Sequence, residues 1–349
     1  VAISTCFVPA MDRADDTDLG LAGLSSEFQA MLGGLAGHTA SFAKILEMLK
    51  DTERVDAYRR AIDQLGASWS DSIVVDVGAG TGVLSVMCGK RAKKVVAIEA
   101  SRLSHFLRKV VATNAPNVEV HDIRAEDLEL TEKVDVVVSE WMGYCLLFEN
   151  MLPSVLSVRD RYLKPGGMML PSKCRLLLAP LEDQNWRKQK LDFWSSVHGI
   201  DMSCLIPLAR ATYCGTPQHH LVDASKLLAD PQVIFEADLH TVQIGDLEHF
   251  DAMMSVSIPA GRRLDAFVAW FECDFGDHGV TLSTAPTNPA THWKQTAFYL
   301  REPLEGGGGC EVQGKVTFQK HEVYSRGYQV SFDLKVPGRK PRSEGYELR

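Results

Sequence analysis

Two glutamates stand close together in the chain, directly after a run of β-branched residues. Glu140 and Glu149 belong to SEWMGYCLLFENM at 139–151, which follows VDVVV at 134–138 and contains a glycine, Gly143, that can reverse the chain. Two carboxylates at one site repel each other unless a cation lies between them. An arginine guanidinium is such a cation, because its planar fork of N–H donors matches carboxylates in pairs. The pair therefore indicates a site that can hold an arginine side chain.

A guanidinium held in this way is a candidate methyl acceptor. It is protonated at neutral pH and its electrons are spread over three nitrogens, so it is a poor nucleophile. Two acids would fix one nitrogen in line with an activated methyl group and draw positive charge away from that nitrogen. Two glutamates at this spacing are, however, more often solvated surface acids. The hypothesis therefore depends on the segments that surround the pair.

A glycine-rich turn in VDVGAGTGVLS at 75–85 supplies the first of these segments. Gly78 and Gly80 let the backbone turn sharply and approach a ligand, and Asp76 at the end of the strand can accept a hydrogen bond. The next apolar run ends in Glu99, where an acid can bind both hydroxyls of a ribose. These features suit NAD as well as S-adenosylmethionine, so they leave the cofactor open.

A third loop favours S-adenosylmethionine. The run VEVH at 118–121 is followed by Ala125, Glu126 and Asp127, which are placed to accept a hydrogen bond from an adenine amino group. Without the preceding motifs, Glu126 would be interpreted as a solvated loop acid.

A second candidate catalytic segment lies much later in the chain, in THWKQTAFYL at 291–300. His292 can supply a proton acceptor and Trp293 an aromatic wall for a cation. A histidine beside a tryptophan is more often a packed core residue, so the assignment needs support from the other motifs.

The elements that must position these residues change in character along the chain. Apolar residues at helical spacing predict two helices, one starting near Phe42 and one after the break at Asp51. Short Val- and Ile-rich runs then alternate with helix-length segments, which is typical of a doubly wound parallel sheet, and KPGG at 164–167 is predicted to be the turn that ends it. After Pro171 the alternating pattern predicts an antiparallel barrel or sandwich.

Residues 184–213 lie between these two units and interleave aromatic with charged residues. The pattern fits an amphipathic segment on its own core, and it also fits an arm that docks on another subunit. The periodicity alone favours the core interpretation.

The composition fits an intracellular protein with a basic partner. The 349 residues are 45% hydrophobic, which is enough for two packed units. A net charge of −8 argues against nucleic-acid binding, although mild acidity also simply aids solubility. Eight cysteines without a CxxC pair predict buried thiols and no metal site. No run has the length of a membrane span, so we expect a soluble protein of the cytoplasm, the nucleus or both.

SEWMGYCLLFENM and THWKQTAFYL together resemble the double-glutamate loop and the THW loop of the type I protein arginine N-methyltransferases, which place two methyl groups on one guanidinium nitrogen. MLKDTERVDAY, VDVGAGTGVLS, IEAS and DFWSSVHGIDMSC also match, so the resemblance runs from about Met48 to the C-terminus. It implies an α/β fold with a doubly wound, Rossmann-like S-adenosylmethionine-binding domain. An antiparallel β-barrel domain with an inserted helical dimerisation arm is expected to follow.

The resemblance also implies the domain boundaries and the partners. We expect a flexible leader and cofactor lid at 1–40, the N-terminal helices and methyltransferase domain at 41–172, and the barrel at 173–349. The arm, at about 184–213, is expected to grip the cofactor domain of a second copy in a head-to-tail homodimer, which reverses the preference for the core. The expected substrates are arginine-rich or RGG-containing proteins, histones and RNA-binding proteins among them, without direct contact to nucleic acid or membrane.

Each residue of the expected site receives a role from the resemblance. Glu140 and Glu149 hold the substrate guanidinium, and Asp51 with His292 forms a pair that can relay its proton. The expected cofactor contacts are Arg54 for the carboxylate, Gly78 for the methionine part, Glu99 for the ribose and Glu126 for the adenine amino group. Asp76, Gly80 and Ala125 are expected to be further cofactor contacts. The expected lining of the arginine channel is Met48, Tyr144 and Trp293.

Departures from the family pattern concern the cofactor lid. Thr39 stands where a second lid tyrosine is usual, and Ile45 stands where many members have a cofactor-contacting histidine. Gly33, Gly34 and Gly37 weaken a helix there by about 1 kcal/mol each. We therefore expect a lid that is mobile without cofactor and binds the cofactor less tightly than a tyrosine lid.

Other functions stay open on the sequence alone. An inactive relative that regulates another methyltransferase would usually lose a catalytic acid or a cofactor glycine, and none is missing here. A small-molecule methyltransferase has no use for the double-glutamate and THW segments. Single or symmetric methylation depends on the space around the accepting nitrogen, which a sequence does not measure.

Overall fold

The computed structural model describes residues 39–277 and 279–349, which fall into two units, Val1–Lys50 and Asp51–Arg349. The described part of the first unit is one helix, α1 (Thr39–Lys50), which includes Ile45 and Met48. The helix expected from Phe42 therefore begins three residues earlier. The leader at 1–38, with the glycines of the expected lid, lies outside the described residues.

The second unit opens with helix α2 (Thr52–Leu65). Asp51 caps this helix, because its Oδ1 accepts the backbone N–H of Arg54 at 3.0 Å and so satisfies one of the donors exposed at a helix start. The fully buried Tyr58 donates its hydroxyl to the carbonyl of Ser139 at 2.8 Å. The hydrogen bond ties the helix to the segment that contains the two glutamates.

A parallel sheet of five strands, in the order β3-β2-β1-β4-β5, follows in the chain. The strands are β1 (Ile73–Val77), β2 (Lys94–Ile98), β3 (Val118–His121), β4 (Val134–Val138) and β5 (Leu163–Leu170). The helices between them are α3 (Val83–Gly89), α4 (Leu103–Asn114) and α5 (Leu152–Tyr162). The central strands β1 and β2 are buried at every residue after the first, as expected for a sheet covered on both faces. The predicted doubly wound unit is thus confirmed.

The prediction for KPGG at 164–167 is wrong. These residues belong to β5, which pairs with β4 on both sides of them: Val134 lies opposite Leu163, and Val136 already lies opposite Met168. The tetrapeptide therefore bulges out of a continuing strand, with Gly166 at φ +74°. Proline and glycine interrupt the apolar pattern at such a bulge as they do at a turn, so the pattern could not separate the two.

The rest of the chain forms two antiparallel sheets, which confirms the second predicted unit. One has the order β7-β12-β10-β6-β8, with β11 on β10, and the other the order β15-β14-β13-β9. The strands of the first are β6 (Lys173–Leu181), β7 (Gln218–His220), β8 (Gln232–Asp238), β10 (Arg263–Asp274), β11 (Thr281–Ser283) and β12 (Gln295–Glu305). Those of the second are β9 (His249–Ile258), β13 (Cys310–Lys320), β14 (Tyr328–Lys335) and β15 (Arg342–Leu348). Phe267 of β10 stacks on Phe332 of β14 with ring centroids 4.9 Å apart, so the two sheets share a core.

The segment at 184–213 contains helices α6 (Gln184–Lys190) and α7 (Ile206–Tyr213). Its inner side belongs to the barrel core, since Trp186 stacks on Tyr299 with centroids 3.5 Å apart. Its outer side leaves large apolar side chains in solvent: Phe193 at 49%, Ile200 at 58% and Leu208 at 67% exposure. The segment thus packs on its own core, as one interpretation predicted, and its exposed apolar side leaves docking on another subunit a prediction.

Two expectations from composition concern thiols and membranes. Cys145 and Cys174 are buried as expected, but Cys204 is exposed, so the prediction of uniformly buried thiols is wrong at this position. Cys204 lies in the outer part of 184–213, where few neighbours cover it. Within the described ranges, no helix combines the length and apolar character needed to cross a bilayer.

Candidate active site

Four of the sequence motifs meet along one edge of the parallel sheet. Because parallel strands all end at the same edge, the order β3-β2-β1-β4 sets the order of the residues that follow each strand. Along this edge lie Glu126 after β3, Glu99 after β2, Gly78 after β1 and Glu140 after β4. The edge outside the carboxyl ends of the strands is where open α/β sheets bind ligands. The residues expected to contact adenine, ribose and the reacting groups therefore follow one another along this edge.

The glycine-rich turn is held against Glu99. Glu99 Oε2 accepts the backbone N–H of Gly80 at 2.8 Å, and Glu99 Oε1 accepts the backbone N–H of Ser101 at 2.8 Å. Gly78 and Gly80 have φ +74° and +56°, and a Cβ on Gly78 would come within 2.1 Å of Met151 Cε. Each carboxylate oxygen keeps a second lone pair, so Glu99 can still accept ribose hydroxyls. The turn and its acid therefore fit a nucleoside.

Asp76 is fully buried beneath this turn. Burial raises the pKa of its carboxyl to about 7. The hydrogen bond that its Oδ2 accepts from Ser85 Oγ at 2.5 Å lowers the pKa, but by less than burial raises it. Its Oδ1 is buried and has no hydrogen-bond partner among residues 39–277 and 279–349. A buried acceptor in this state indicates a water or ligand donor that completes the site.

The loop expected to bind adenine is tied to helix α5. Glu126 Oε1 accepts the hydroxyl of Ser154 at 2.6 Å, which, despite partial burial, holds the pKa of Glu126 below its usual range. The carbonyl of Ala125 accepts Arg161 Nη2 at 2.6 Å. Ser154 and Arg161 were not identified from the sequence, because nothing in a helix pattern marks contacts to a loop some 30 residues away.

The first of the paired acids, Glu140, has a nearly buried side chain that already faces an arginine. Its Oε2 lies 2.9 Å from Arg54 Nη1, and the two side chains are only 7% and 9% exposed. Burial raises the pKa of Glu140 to about 8; the positive charge of Arg54 opposes this shift, and the negative charge of Glu149 adds to it. The two acids are therefore close enough for the charge of Glu149 to affect the pKa of Glu140.

The second acid, Glu149, lies on a strained loop. Its φ is +78°, and three further non-glycine residues of the loop have positive φ: Cys145, Leu146 and Asn150. The loop reverses at Gly143, where a Cβ would come within 1.8 Å of the Phe148 carbonyl oxygen. Such a backbone persists only where the surroundings hold it, and it is found most often at functional sites.

Arg326, in the loop between β13 and β14, holds Glu149 at two points. Its carbonyl accepts the backbone N–H of Glu149 at 2.9 Å, and its Nη2 lies 3.0 Å from Glu149 Oε2. The side chains are 67% and 45% exposed. Sequence reasoning missed Arg326, because the contact spans 177 residues and SRGY carries no motif.

The structure brings Asp51 and His292 together. Asp51 Oδ2 accepts the backbone N–H of His292 at 2.8 Å and lies 2.7 Å from its Nδ1. Burial alone would raise the pKa of Asp51, but the hydrogen bonds from His292 and the N–H of Arg54 outweigh it and hold the pKa below its usual range. An ionised Asp51 orients the imidazole and stabilises its protonated form.

The three residues expected to line the arginine channel differ from one another in their surroundings. Trp293 is buried, and its Nε1 donates to the carbonyl of Met142 at 2.9 Å, two residues from Glu140. Tyr144 stacks on His219 with ring centroids 4.2 Å apart. Met48 belongs to α1 in the other unit, so its expected place stays a prediction.

Family models match both halves of this architecture. A model described as a methyltransferase domain matches residues 74–167, and one described as the arginine methyltransferase oligomerization subdomain matches residues 172–339. The chain is 37% identical over 322 residues to the probable protein arginine N-methyltransferase 6.1 of Oryza sativa subsp. japonica, covering 83% of this chain and 82% of that protein.

Solved structures show the same fold. The Trypanosoma brucei PRMT1 enzyme-prozyme heterotetrameric complex with AdoHcy matches with a TM-score of 0.81 and 30% identity, over 88% of this chain and 98% of the matched chain. The structure titled PRMT6-SAH matches with a TM-score of 0.69 and 29% identity, over 84% and 99%. Both titles name the demethylated product of S-adenosylmethionine.

Proposed function

The chain belongs to the protein arginine N-methyltransferase family and uses S-adenosylmethionine as its methyl donor, and on this premise we propose that it forms asymmetric dimethylarginine in proteins. One observation carries the assignment of the acid pair. Each acid of the pair already holds a guanidinium, Glu140 that of Arg54 and Glu149 that of Arg326. These carboxylates are therefore oriented and solvated in a way that accepts guanidinium N–H groups.

The roles of the acids follow from their environments. The bound cofactor supplies a methyl group activated by an adjacent sulfonium. Glu140, in its dry setting, draws positive charge from the accepting nitrogen, because electrostatic interactions are strong where water is excluded. Glu149 at the solvent side orients the other edge of the guanidinium. Asp51 and His292 take up the proton that the nitrogen loses, since an ionised Asp51 favours a protonated imidazole.

The cofactor-binding roles rest on the order of residues along the sheet edge. Glu126 and Ala125 at one end are assigned to the adenine, Glu99 to the ribose, and Asp76 with Gly78 and Gly80 to the methionine part. Arg54 is assigned to the cofactor carboxylate. That assignment requires its guanidinium to serve a second acid besides Glu140, which its several N–H donors permit.

We also propose that the chain acts as a head-to-tail homodimer. The matched oligomerization subdomain and the apolar side chains exposed on 184–213 support this assembly. The domain boundaries at 1–40, 41–172 and 173–349, residence in the cytoplasm or nucleus, and RGG-containing substrates such as histones and RNA-binding proteins are parts of the same proposal. Light scattering of Leu208→Asp against the wild-type chain tests the assembly: a shift from dimer to monomer supports it, and an unchanged dimer contradicts it.

A second candidate is a regulatory subunit with little activity of its own. One matched structure is titled as an enzyme-prozyme complex, so an arginine methyltransferase fold can accompany another chain. The present chain keeps Arg54, Glu99, Glu140, Glu149 and His292, which favours activity.

The deciding experiment is mass spectrometry of an RGG-rich peptide after incubation with the purified chain and S-adenosylmethionine. Two added methyl groups, with the neutral loss of dimethylamine that marks the asymmetric product, would support the proposal. Symmetric or single methylation would correct the product type alone. No methylation by the chain alone, regained when a related methyltransferase is added, would favour the regulatory candidate. Glu149→Gln is the matched control, and it should lower turnover by orders of magnitude while the cofactor still binds.

A further inference from the structure

The guanidinium of Arg326 occupies an acid that the proposed function assigns to the substrate. Its Nη2 lies 3.0 Å from Glu149 Oε2, which is hydrogen-bonding distance for a charged pair. A substrate arginine would need the same carboxylate. The inference below rests on the proposed function, because it concerns how a substrate guanidinium reaches Glu149.

The backbone of Arg326 supports the loop that carries Glu149 independently of the Arg326 side chain. The N–H of Glu149 donates to the Arg326 carbonyl at 2.9 Å, and Gly327 closes the loop with an N–H bond to the Tyr324 carbonyl at 2.8 Å. A Cβ on Gly327 would lie 2.6 Å from the Leu348 carbonyl oxygen, so this loop has little freedom. Removing the Arg326 side chain therefore leaves the backbone support of Glu149 in place.

The two arginines of the acid pair differ in how easily they can be displaced. Arg54 and Glu140 are nearly excluded from water, so separating them would break an ion pair that water cannot readily replace. Arg326 and Glu149 are 67% and 45% exposed, and water can solvate both after they separate. An incoming cation of the same shape would therefore replace Arg326, not Arg54.

We propose that Arg326 is an internal counter-ion of Glu149 that the substrate guanidinium displaces, and that it thereby sets the affinity for substrate arginine. Its guanidinium keeps Glu149 paired and oriented while the site is open. It then competes with the substrate for the same oxygen, and its positive charge repels a second guanidinium. Arg326 is thus a residue that weakens substrate binding in proportion to the strength of its own ion pair.

The test measures the dissociation constant of a single-arginine RGG peptide from the protein loaded with S-adenosylhomocysteine. Arg326→Gln should bind the peptide about two- to fivefold more tightly than wild type at low salt, the range set by an exposed ion pair. Near 1 M salt, where the screening length falls to about 3 Å, the gain should shrink. Arg326→Lys, which keeps the charge, should stay near wild type.

Two controls separate displacement from a general charge effect. Arg349→Gln removes an arginine that contacts Tyr324 in the same loop but not Glu149, so its affinity for the peptide should increase much less than that of Arg326→Gln. In a Glu149→Gln background, Arg326→Gln should give no further gain, because the competition for Glu149 is gone. Binding serves as the readout, since it is measurable even where turnover is lost.

Steady-state kinetics distinguishes displacement from a role in which Arg326 only positions Glu149. Displacement predicts a lower KM for Arg326→Gln, whereas a role in holding Glu149 for catalysis predicts a lower kcat. One result would overturn the displacement but not the proposed function. In that result the wild-type protein methylates the peptide, and Arg326→Gln binds the peptide no more tightly than Arg349→Gln does. Wild-type protein that neither binds nor methylates the peptide would overturn the proposed function as well.

Discussion

Glu140 and Glu149 belong to one loop and, in our proposal, to one substrate group, yet their surroundings are opposite. Glu140 follows a buried strand, is 7% exposed and pairs with a buried arginine. Glu149 has a left-handed backbone conformation, is 45% exposed and pairs with an arginine of a surface loop. The carboxylate of Glu140 therefore exerts a strong electric field at one end of the site, and the carboxylate of Glu149 makes an exchangeable contact at the other.

This difference teaches why two acids are tolerated in one site. If both were buried, their mutual repulsion would add to two desolvation costs. Here burial and the neighbouring acid raise the pKa of Glu140 to about 8, and solvent screens Glu149. The ligand-free site can thus relieve its charge by taking up a proton at Glu140. A bound guanidinium would favour the ionised form of both acids.

The comparison predicts unequal losses when each acid is neutralised. Glu140→Gln should lower turnover about 10³-fold, because a preorganised charge in a dry site contributes most to stabilising the transition state. Glu149→Gln should lower it about 10²-fold, because water screens this carboxylate. Single-turnover rates with saturating cofactor measure both losses. Equal losses, or a larger loss at Glu149, would contradict the assignment of the stronger field to Glu140.

The loop between the acids can be broken without removing either carboxylate, although a Cβ on Gly143 would also come within 3.2 Å of Glu149 Cγ. Gly143→Ala would place a Cβ within 1.8 Å of the Phe148 carbonyl oxygen, so the turn must open. We expect a loss of stability of about 1–3 kcal/mol, typical of overpacking, and a fall in turnover of at least about tenfold. Thermal unfolding and turnover are the measurements. Gly245→Ala is the matched control, because a Cβ there has open space, and it should change neither quantity.

The raised pKa of Glu140 predicts a pH dependence of peptide methylation. The ionised form binds the substrate cation, so kcat/KM should rise with pH through an inflection set by the Glu140 pKa of about 8 and level off above it. The sulfonium of the bound cofactor favours the ionised carboxylate, so the inflection should lie at or below about 8. The pH profile of kcat/KM at saturating cofactor measures this. A profile that is flat from pH 5.5 to about 9, or that falls over this range, would contradict a role for ionised Glu140.

Much of the fold followed from local patterns in the sequence. The runs VEVH at 118–121 and VDVVV at 134–138 coincide with β3 and β4, and short Val-rich runs of this kind are typical of a parallel sheet covered on both faces. Family, enzyme class and cofactor were predicted from the motifs and are confirmed. KPGG shows the limit of such patterns, since proline and glycine mark a bulge in β5 as readily as a turn.

The site could be predicted only where its residues follow a strand or a motif. Glu140 and Glu99 qualify, because a parallel sheet brings the ends of its strands to one edge. The meeting of Asp51 with His292, 241 residues apart, followed from the family resemblance and not from any local pattern. Arg326 had neither signal, and only the three-dimensional structure places it against Glu149.

The smallest expected effect concerns stability at the exposed end of the site. Glu149→Gln removes the charge that pairs with Arg326, and such an exposed pair contributes about 0–1 kcal/mol. Glu140→Ala leaves Arg54 buried beside an apolar side chain, which should cost about 3–5 kcal/mol. Denaturant unfolding of both variants and the wild-type chain at about pH 9, above the pKa of Glu140, gives the two free energies. A loss at Glu149 as large as that at Glu140 would mean that the Arg326 pair stabilises the loop itself. It could then not be displaced by a substrate at the low cost that solvent exposure implies.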